Sequence, residues 1–329
     1  MPRLFVGNFD FEHRLAYGAG SLPRRLDEIN AALAPAWMAI AEPGDAVWTP
    51  SIATGNVLER LASHGLPQLW AVTNPVELRG PHQPVFWGEN DWTVEFARRW
   101  ELPWEGCDPA IVRRVNSRRF KHAVEHNLNV ALEGAAVSHS TEDLANAVTE
   151  LWNTPGWVLK GEFGGAGREV RFGGGEVSPL DIAWAANRYR RGLAVTVEPH
   201  LEGIEEAGLQ FEVRRDGGID FIGVTPLLTS SGGYLGSRFM EDESLLSTWG
   251  EAITVARNAA SQVASAGYFG PLGIDAMRYR TADGQIGMRP IQDLNARYTM
   301  GRLALGLRRF PEYARKCGGV FRPRDFASR

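Results

Sequence analysis

At 329 residues the chain is too long for one small core and has the length of two or three packed lobes. A formal net charge of −4 argues against general nucleic-acid or membrane-surface binding, and 44% hydrophobic with 22% charged residues is ordinary for a globular protein. Cys107 and Cys317, the only cysteines, exclude a disulfide framework and make a reducing cytoplasm the expected compartment. No charged-then-apolar leader opens the chain, and no apolar run reaches membrane-spanning length.

In chain order, residues 3–7 (RLFVG) read as a first strand and residues 22–34 as a helix with apolar spacing at Leu22, Leu26, Ile29 and Leu33. Strands are expected at 37–41, 46–49 and 68–72, with a helix at 56–64 ended by Gly65. Strands alternating with helices predict a small α/β lobe with a mostly parallel sheet. Residues 74–90 read as loop, a helix follows at 91–100, and Pro103, Gly106, Asp108 and Pro109 mark a lobe boundary.

Residues 110–130 read as one cationic helix carrying Arg113, Arg114, Arg118, Arg119 and Lys121, a pattern that also suits a plain solvated face. Inside it, His122, Glu125 and His126 spell H-x-x-E-H, a zinc-peptidase spacing. No third ligand cluster follows and the neighbouring cations repel a metal, so both histidines are read as structural.

After a capped helix at 141–152 comes GWVLKGEFGGAGREVRF, residues 156–172. It reads as a strand ending in Lys160, a loop with Gly161, Gly164, Gly165 and Gly167, and a return strand from Arg168. Glycines let backbone N–H groups approach phosphate oxygens, and a lysine adds a point charge. The loop joins strand to strand, so it is neither a P-loop nor a dinucleotide fingerprint; a plain glycine-rich hairpin is the competing reading. Ser178-Pro179 opens a helix to about Arg191, and LAVTVE (193–198) is a strand broken by Pro199-His200-Leu201. Residues 209–214 and 219–227 form a hairpin, 229–236 a mobile polar stretch, and 247–266 a long amphipathic helix.

Residues 271–297 alternate apolar and polar on both sides of the Ala282-Asp283-Gly284 turn. Asp275 lies on one arm, with Asp293 and Asn295 two apart on the other, so the three oxygen-bearing side chains can share a face. Hard oxygen donors of this kind suit Mg²⁺; alternatively the stretch is a surface hairpin with solvated acids. A helix at 299–307 closes the chain's readable pattern.

Taken together, the cationic helix, VLK with its glycine loop, EPHL, GIDAM and DLNAR resemble the ATP-grasp superfamily over about residues 111–301. The resemblance implies an α/β, more strictly α+β, architecture. A Rossmann-like pre-ATP-grasp lobe (1–109) would precede a lid subdomain (110–200) and a metal-binding subdomain (201–329), both with antiparallel sheets. It implies ATP and Mg²⁺ (or Mn²⁺) as cofactors. Arg118, where many members have lysine, or Lys121 nearby, would reach the phosphates together with Lys160, under a loop at Gly164, Gly165 and Gly167. Glu198, His200 and Leu201 would be the adenine hinge, and Glu205 or Glu206 the ribose acid. Asp275, Asp293 and Asn295 would hold the metal, and Arg297, with Lys160, would act on the transferring phosphoryl group.

The activity implied is an ADP-forming carboxylate–amine ligase that activates the acid as an acylphosphate. The alternatives are a small-molecule kinase of the same fold and a non-catalytic ATP-binding regulator. Small-molecule acid and amine partners, no nucleic acid, no membrane, and a homodimer of the kind common among related ligases complete the expectation. Acceptors are expected to meet residues 74–90 and 229–238, with Arg79, His82, Tyr234 and Arg238 as contacts.

Overall fold

A computed structural model describes residues 1–18, 20, 24–51, 55–165, 167–230 and 233–327. The first lobe holds a parallel sheet of β1 (Arg3–Val6), β2 (Ala46–Trp48), β3 (Trp70–Val72) and β4 (Gln83–Phe86), in the order β3-β2-β1-β4. Phe5 lies opposite both Val47 and Val85. Both faces are apolar, as a parallel sheet requires: Phe5 packs with Trp37 and Phe9, while Leu4, Val6, Val72, Phe86 and Phe96 fill the other side. Helices α1 (Phe11–Tyr17), α2 (Arg24–Leu33), α3 (Gly55–Ala62) and α4 (Asp91–Arg99) belong to this lobe.

Next come α5 (Pro109–Val115) and α6 (Arg118–Asn127), then an antiparallel sheet of β5 (Ala136–Ser138), β6 (Trp157–Gly161), β7 (Val170–Gly173) and β8 (Val195–Pro199). Its order is β5-β8-β6-β7, and α7 (Thr141–Thr149) and α8 (Pro179–Tyr189) supply a separate small core around Leu144, Leu159 and Val197. The third sheet is the largest, ordered β13-β12-β9-β10-β11-β14. It comprises β9 (Glu202–Val213), β10 (Ile219–Ser230), β11 (Gly233–Arg238), β12 (Gly270–Arg280), β13 (Ile286–Asn295) and β14 (Val320–Phe321). Helix α9 (Ser244–Ser265) lies on it through Ala252, Ala256, Ala259 and Ala260, small residues that allow close approach. Helices α10 (Met300–Gly306), α11 (Pro311–Lys316) and α12 (Pro323–Phe326) end the described chain. Among the described residues no helix is long and apolar enough to cross a membrane.

Several expectations are corrected. Residues 37–41 are not a strand; a buried 3₁₀ helix, Ala34–Ala39, takes their place, with Pro35 in its first turn. The stretch 74–90 is not all loop, because β4 runs through it as an edge strand. Pro84 is tolerated there, since only one side of an edge strand must donate. The single cationic helix at 110–130 is two, divided at Asn116-Ser117, where the Ser117 hydroxyl caps α6 by accepting from Phe120 N (3.2 Å). Residues 229–236 are the paired ends of β10 and β11, with 231–232 outside the described residues. Leu22, expected to start α2, and Ala166 in the glycine loop also lie outside them.

Candidate active site

The site is assembled where α6, β6, the end of β8 and the β12–β13 hairpin meet. Lys160 is the fourth residue of β6 and lies beside β8, so its ammonium reaches the Glu198 carboxylate at 2.8 Å. The same carboxylate takes Lys121 from α6 at 2.8 Å and Arg289 from β13 at 2.8 Å. Glu125, one turn along α6 from Lys121, pairs with it at 3.0 Å. All five side chains are buried. Burial would raise the Glu198 carboxyl, but Arg289, Lys121 and Lys160 hold it well below the usual range. Burial brings Lys160 down to about 8, against the pull of Glu198.

Arg118, the first residue of α6, reaches across to both other parts of the site. It donates to Gly161 O (2.5 Å) and to Asp293 Oδ2 (2.9 Å). Asn116 fastens the end of α5 to the strand-end segment, accepting from Ala296 N at 2.9 Å and donating to Ala296 O at 3.2 Å. Neither Asn116 nor Arg289 stood out in the sequence; an asparagine at a helix break was the only signal for the first.

Asp275 and Asp293 are directly paired across β12 and β13, and Asn295 lies opposite Gly273. The register slips just beyond: Met277 faces Arg289, so β13 bulges around Pro290, a residue that cannot donate to the ladder. Asn295 Nδ2 donates to Asp275 Oδ2 at 3.1 Å. Burial, then the neighbouring Asp293, pushes the Asp275 carboxyl up to about 7. Burial would also raise Asp293, but Arg118 leads the cations that hold it low. This donor set fits Mg²⁺: hard oxygens on adjacent strands, with one acid carrying charge that its protein neighbours do not compensate. Among the described residues no three His, Cys, Asp or Glu side chains converge, so a metal here depends on the Asn295 amide.

Arg297 follows on. It donates to Asn295 Oδ1 (3.0 Å) and Tyr298 O (2.7 Å), its guanidinium lies 5.4 Å from the Trp87 ring centre, and Nε pairs with Glu12 at 2.5 Å. Glu12, on α1, was not anticipated, and neither was its helix. The glycine loop presses on this group. A Cβ at Gly165 would stand 3.1 Å from the Glu12 carboxyl carbon, and one at Gly164 would stand 2.7 Å from Arg168 O. Gly167 has φ +75°, a conformation that favours glycine. The space enclosed by Glu12, Arg118, Gly164, Asp293 and Asn295 is only about 10 Å³, room for about one water. The loop is therefore seated over the carboxylates, and Arg118 Nε is buried there with no acceptor among the described residues.

Other expected residues are placed as follows. Glu205 and Glu206 lie within β9, not in a loop, and alternate: Glu205 is exposed and pairs with Arg278 at 2.7 Å, while Glu206 is half-buried near Gln292 and Lys160. His200 gives its backbone N–H to Gly156 O (2.9 Å) and is exposed beside Phe172, and Leu201 is half-buried. The two H-x-x-E-H rings meet edge to face at 4.4 Å while Glu125 joins the lysine cluster. The four acceptor contacts do not come together. Arg79 is exposed against Trp70, His82 bonds Gly80 O, Tyr234 bonds Ser237 (2.8 Å), and Arg238 is exposed on β11. Residues 83–89 of the expected acceptor stretch do line a cavity of about 660 Å³ that Arg297 also lines.

No family model matches the sequence, and a search of curated proteins finds no match. Solved structures do match. The biotin carboxylase–βγ-ATP complex from Campylobacter jejuni superposes with a TM-score of 0.55 at 15% identity, over 83% of this chain and 64% of that one. The ADP complex of N5-carboxyaminoimidazole ribonucleotide synthetase gives 0.51 at 15%, covering 82% and 69%. N5-carboxyaminoimidazole synthetase from Staphylococcus aureus complexed with ADP gives 0.51 at 11%, with the same coverage. The fold is the ATP-grasp fold. The order of parts is a parallel-sheet lobe, a small antiparallel sheet bearing the glycine loop, and a large antiparallel sheet bearing the acidic hairpin.

Proposed function

We propose that the chain is an ATP-dependent carboxylate–amine ligase that releases ADP and phosphate. One observation carries this reading: Arg118 pairs with Asp293, Asn295 bonds Asp275 and Arg297 bonds Asn295, a connected set of cations and acids bordering the glycine loop at Gly164, with Lys160 among the cations that, after Arg118, hold Asp293 low. The matching structures solved as complexes with ADP or βγ-ATP support the nucleotide. The three lobes would follow the boundaries 1–109, 110–200 and 201–329, and an ATP-using enzyme with two thiols fits the cytoplasm.

In this reading Asp275, Asp293 and Asn295 hold Mg²⁺, which when bound neutralises charge on the phosphates. Lys160 and Arg118 bind the phosphate chain, and the loop from Gly164 to Gly167 closes to exclude water. The hinge Glu198–Leu201 borders the adenine, through Leu201 rather than His200, whose N–H is already bonded. Glu206, the acid on the cleft side, takes the ribose. An acceptor carboxylate oxygen attacks the γ-phosphorus, and the bond to the bridging oxygen breaks with its electron pair leaving on ADP. The amine then attacks the acyl carbon, phosphate departs, and the nitrogen loses a proton. Arg297 steadies the charge that develops on the transferring group.

The test is calorimetric titration with ATP and Mg²⁺ of the intact chain and of an Asp275→Ala/Asn295→Ala variant. The expected result is Mg²⁺-dependent binding, on the order of 1 μM to 1 mM, that the variant loses. A folded chain that binds no ATP ends this reading.

A further inference from the structure

The cavity of about 660 Å³ lies between the first lobe and the largest sheet, outside the carboxylate site but sharing Arg297 with it. That volume suits an amino-acid- or dipeptide-sized molecule. Its walls are aromatic: Trp87, Trp104, Tyr268, Phe269 and Tyr298. Arg297 also lines the cavity, and its NH1 and NH2 each form one hydrogen bond to protein and keep a second N–H. Glu89 and Glu212 line it as well; burial raises the Tyr268 and Tyr298 hydroxyls and both acids add to the rise, which places them around the same phenols. Glu89 is bound by Cys107 N at 2.5 Å and has no ion pair among the described residues; Glu212 meets Arg302 at 2.9 Å. Burial raises both carboxyls, the mark of negative charge held away from water. Of the arginines of the β9–β10 turn, Arg214 is paired with Asp216 and Asp220, while Arg215, over Phe269 beside Glu105, offsets Glu89 in part without pairing with it.

We propose that this cavity binds the acid that the ligase activates, and that this acid carries a cationic group: its carboxylate at Arg297, its amino or guanidino group at Glu89 and Glu212. The assignment rests on the ligase reading for the fate of the carboxylate. A neutral or anionic body would leave Glu89 without an ion pair beside aromatic walls, whereas a cation gains both the carboxylates and the ring faces.

Three probes separate the contributions: L-arginine, L-citrulline, which has the same shape without the charge, and agmatine, which lacks the carboxylate. Each is titrated calorimetrically into the intact chain, with ATP·Mg²⁺ binding measured on the same samples. Arginine is expected to bind about tenfold or more tighter than either analogue. Glu89→Gln and, separately, Glu212→Gln are expected to remove most of the preference over citrulline, with folding checked by thermal melting. Arg297→Gln is expected to remove the preference over agmatine. Equal binding of arginine and citrulline, a preference that survives both glutamine variants, or no binding of any probe overturns the assignment. If any of these occurs while ATP·Mg²⁺ binds normally, the ligase reading stands. Arginine binding of the expected pattern without ATP binding would do the reverse.

Discussion

Glu198 faces Lys121, Lys160 and Arg289 at 2.8 Å each, all four groups buried. Removing this carboxylate would leave three buried cations with only Glu125 to offset them in a low-dielectric interior. Glu198→Ala should therefore cost about 3–5 kcal/mol in a denaturant titration; a loss under 1 kcal/mol would show that the cluster is hydrated. Lys160 supplies a pH dependence. Burial lowers it from 10.5 to about 8, so it is charged below that value and neutral above it. ATP·Mg²⁺ affinity of the free protein should weaken as pH rises through about 8, and Lys160→Arg, which stays charged, should remove that limb. The effect on stability has the opposite sign. A lysine whose pKa falls on folding penalises the folded state below pH 8, and the penalty disappears as pH rises from about 8 towards 10.5. An affinity profile identical in Lys160→Arg would dissociate this ammonium from the nucleotide.

At the scale of elements, the loop between β6 and β7 is held by close contact. A methyl group at Gly164 would meet the Arg168 carbonyl at 2.7 Å and the Glu169 Cβ at 2.9 Å, and the first is backbone that cannot swing aside. Gly164→Ala should lower turnover by about 10²-fold while leaving the melting temperature near that of the parent. A variant of normal turnover would mean that the loop does not close in this geometry. Ser117 makes a second test. Its hydroxyl starts α6 and sets the direction of Arg118, so Ser117→Ala should cost about 1 kcal/mol and weaken nucleotide binding with it. How much of this was legible follows from the range of each signal. The β12–β13 arms, the glycine loop and the helix after Ser178 carry local patterns, and the structure has them within a few residues of the expected bounds. Glu12, Asn116 and Arg289 were not legible, because each acts through contacts made across 91 or more residues of sequence. Arg289 also depends on the Pro290 bulge, which a simple alternation does not register. The break at Asn116-Ser117 was hidden by uninterrupted positive charge, although serine before a helical run is itself a cap signal.

Across the whole molecule, the first lobe and the C-terminal segment are tied directly: Arg309 bonds Ala41 O (3.2 Å), Arg60 bonds Asp325 O (2.9 Å), and α10 and α12 pack on the 3₁₀ helix. The small antiparallel sheet has its own core, so its loop can lift without opening the main one. Glu12 is where all three parts touch: it sits on α1, pairs with Arg297 after β13, and is contacted by the loop at Gly165. The pair is nearly buried and bridges separate lobes, so its loss should loosen the loop. Arg168 is exposed in that loop and offers trypsin a cleavage point. Where opening is fast relative to cleavage, the cutting rate reports the open population. Glu12→Ala should be cut after Arg168 several times faster than the parent, and ATP·Mg²⁺ should slow cutting in both by holding the loop down. Equal rates without nucleotide would mean that Arg118 and Gly161 hold the loop, with Glu12 a bystander. Faster cutting that nucleotide does not reverse would instead separate the loop from the nucleotide, and the closure assigned to residues 164–167 would have to be given up.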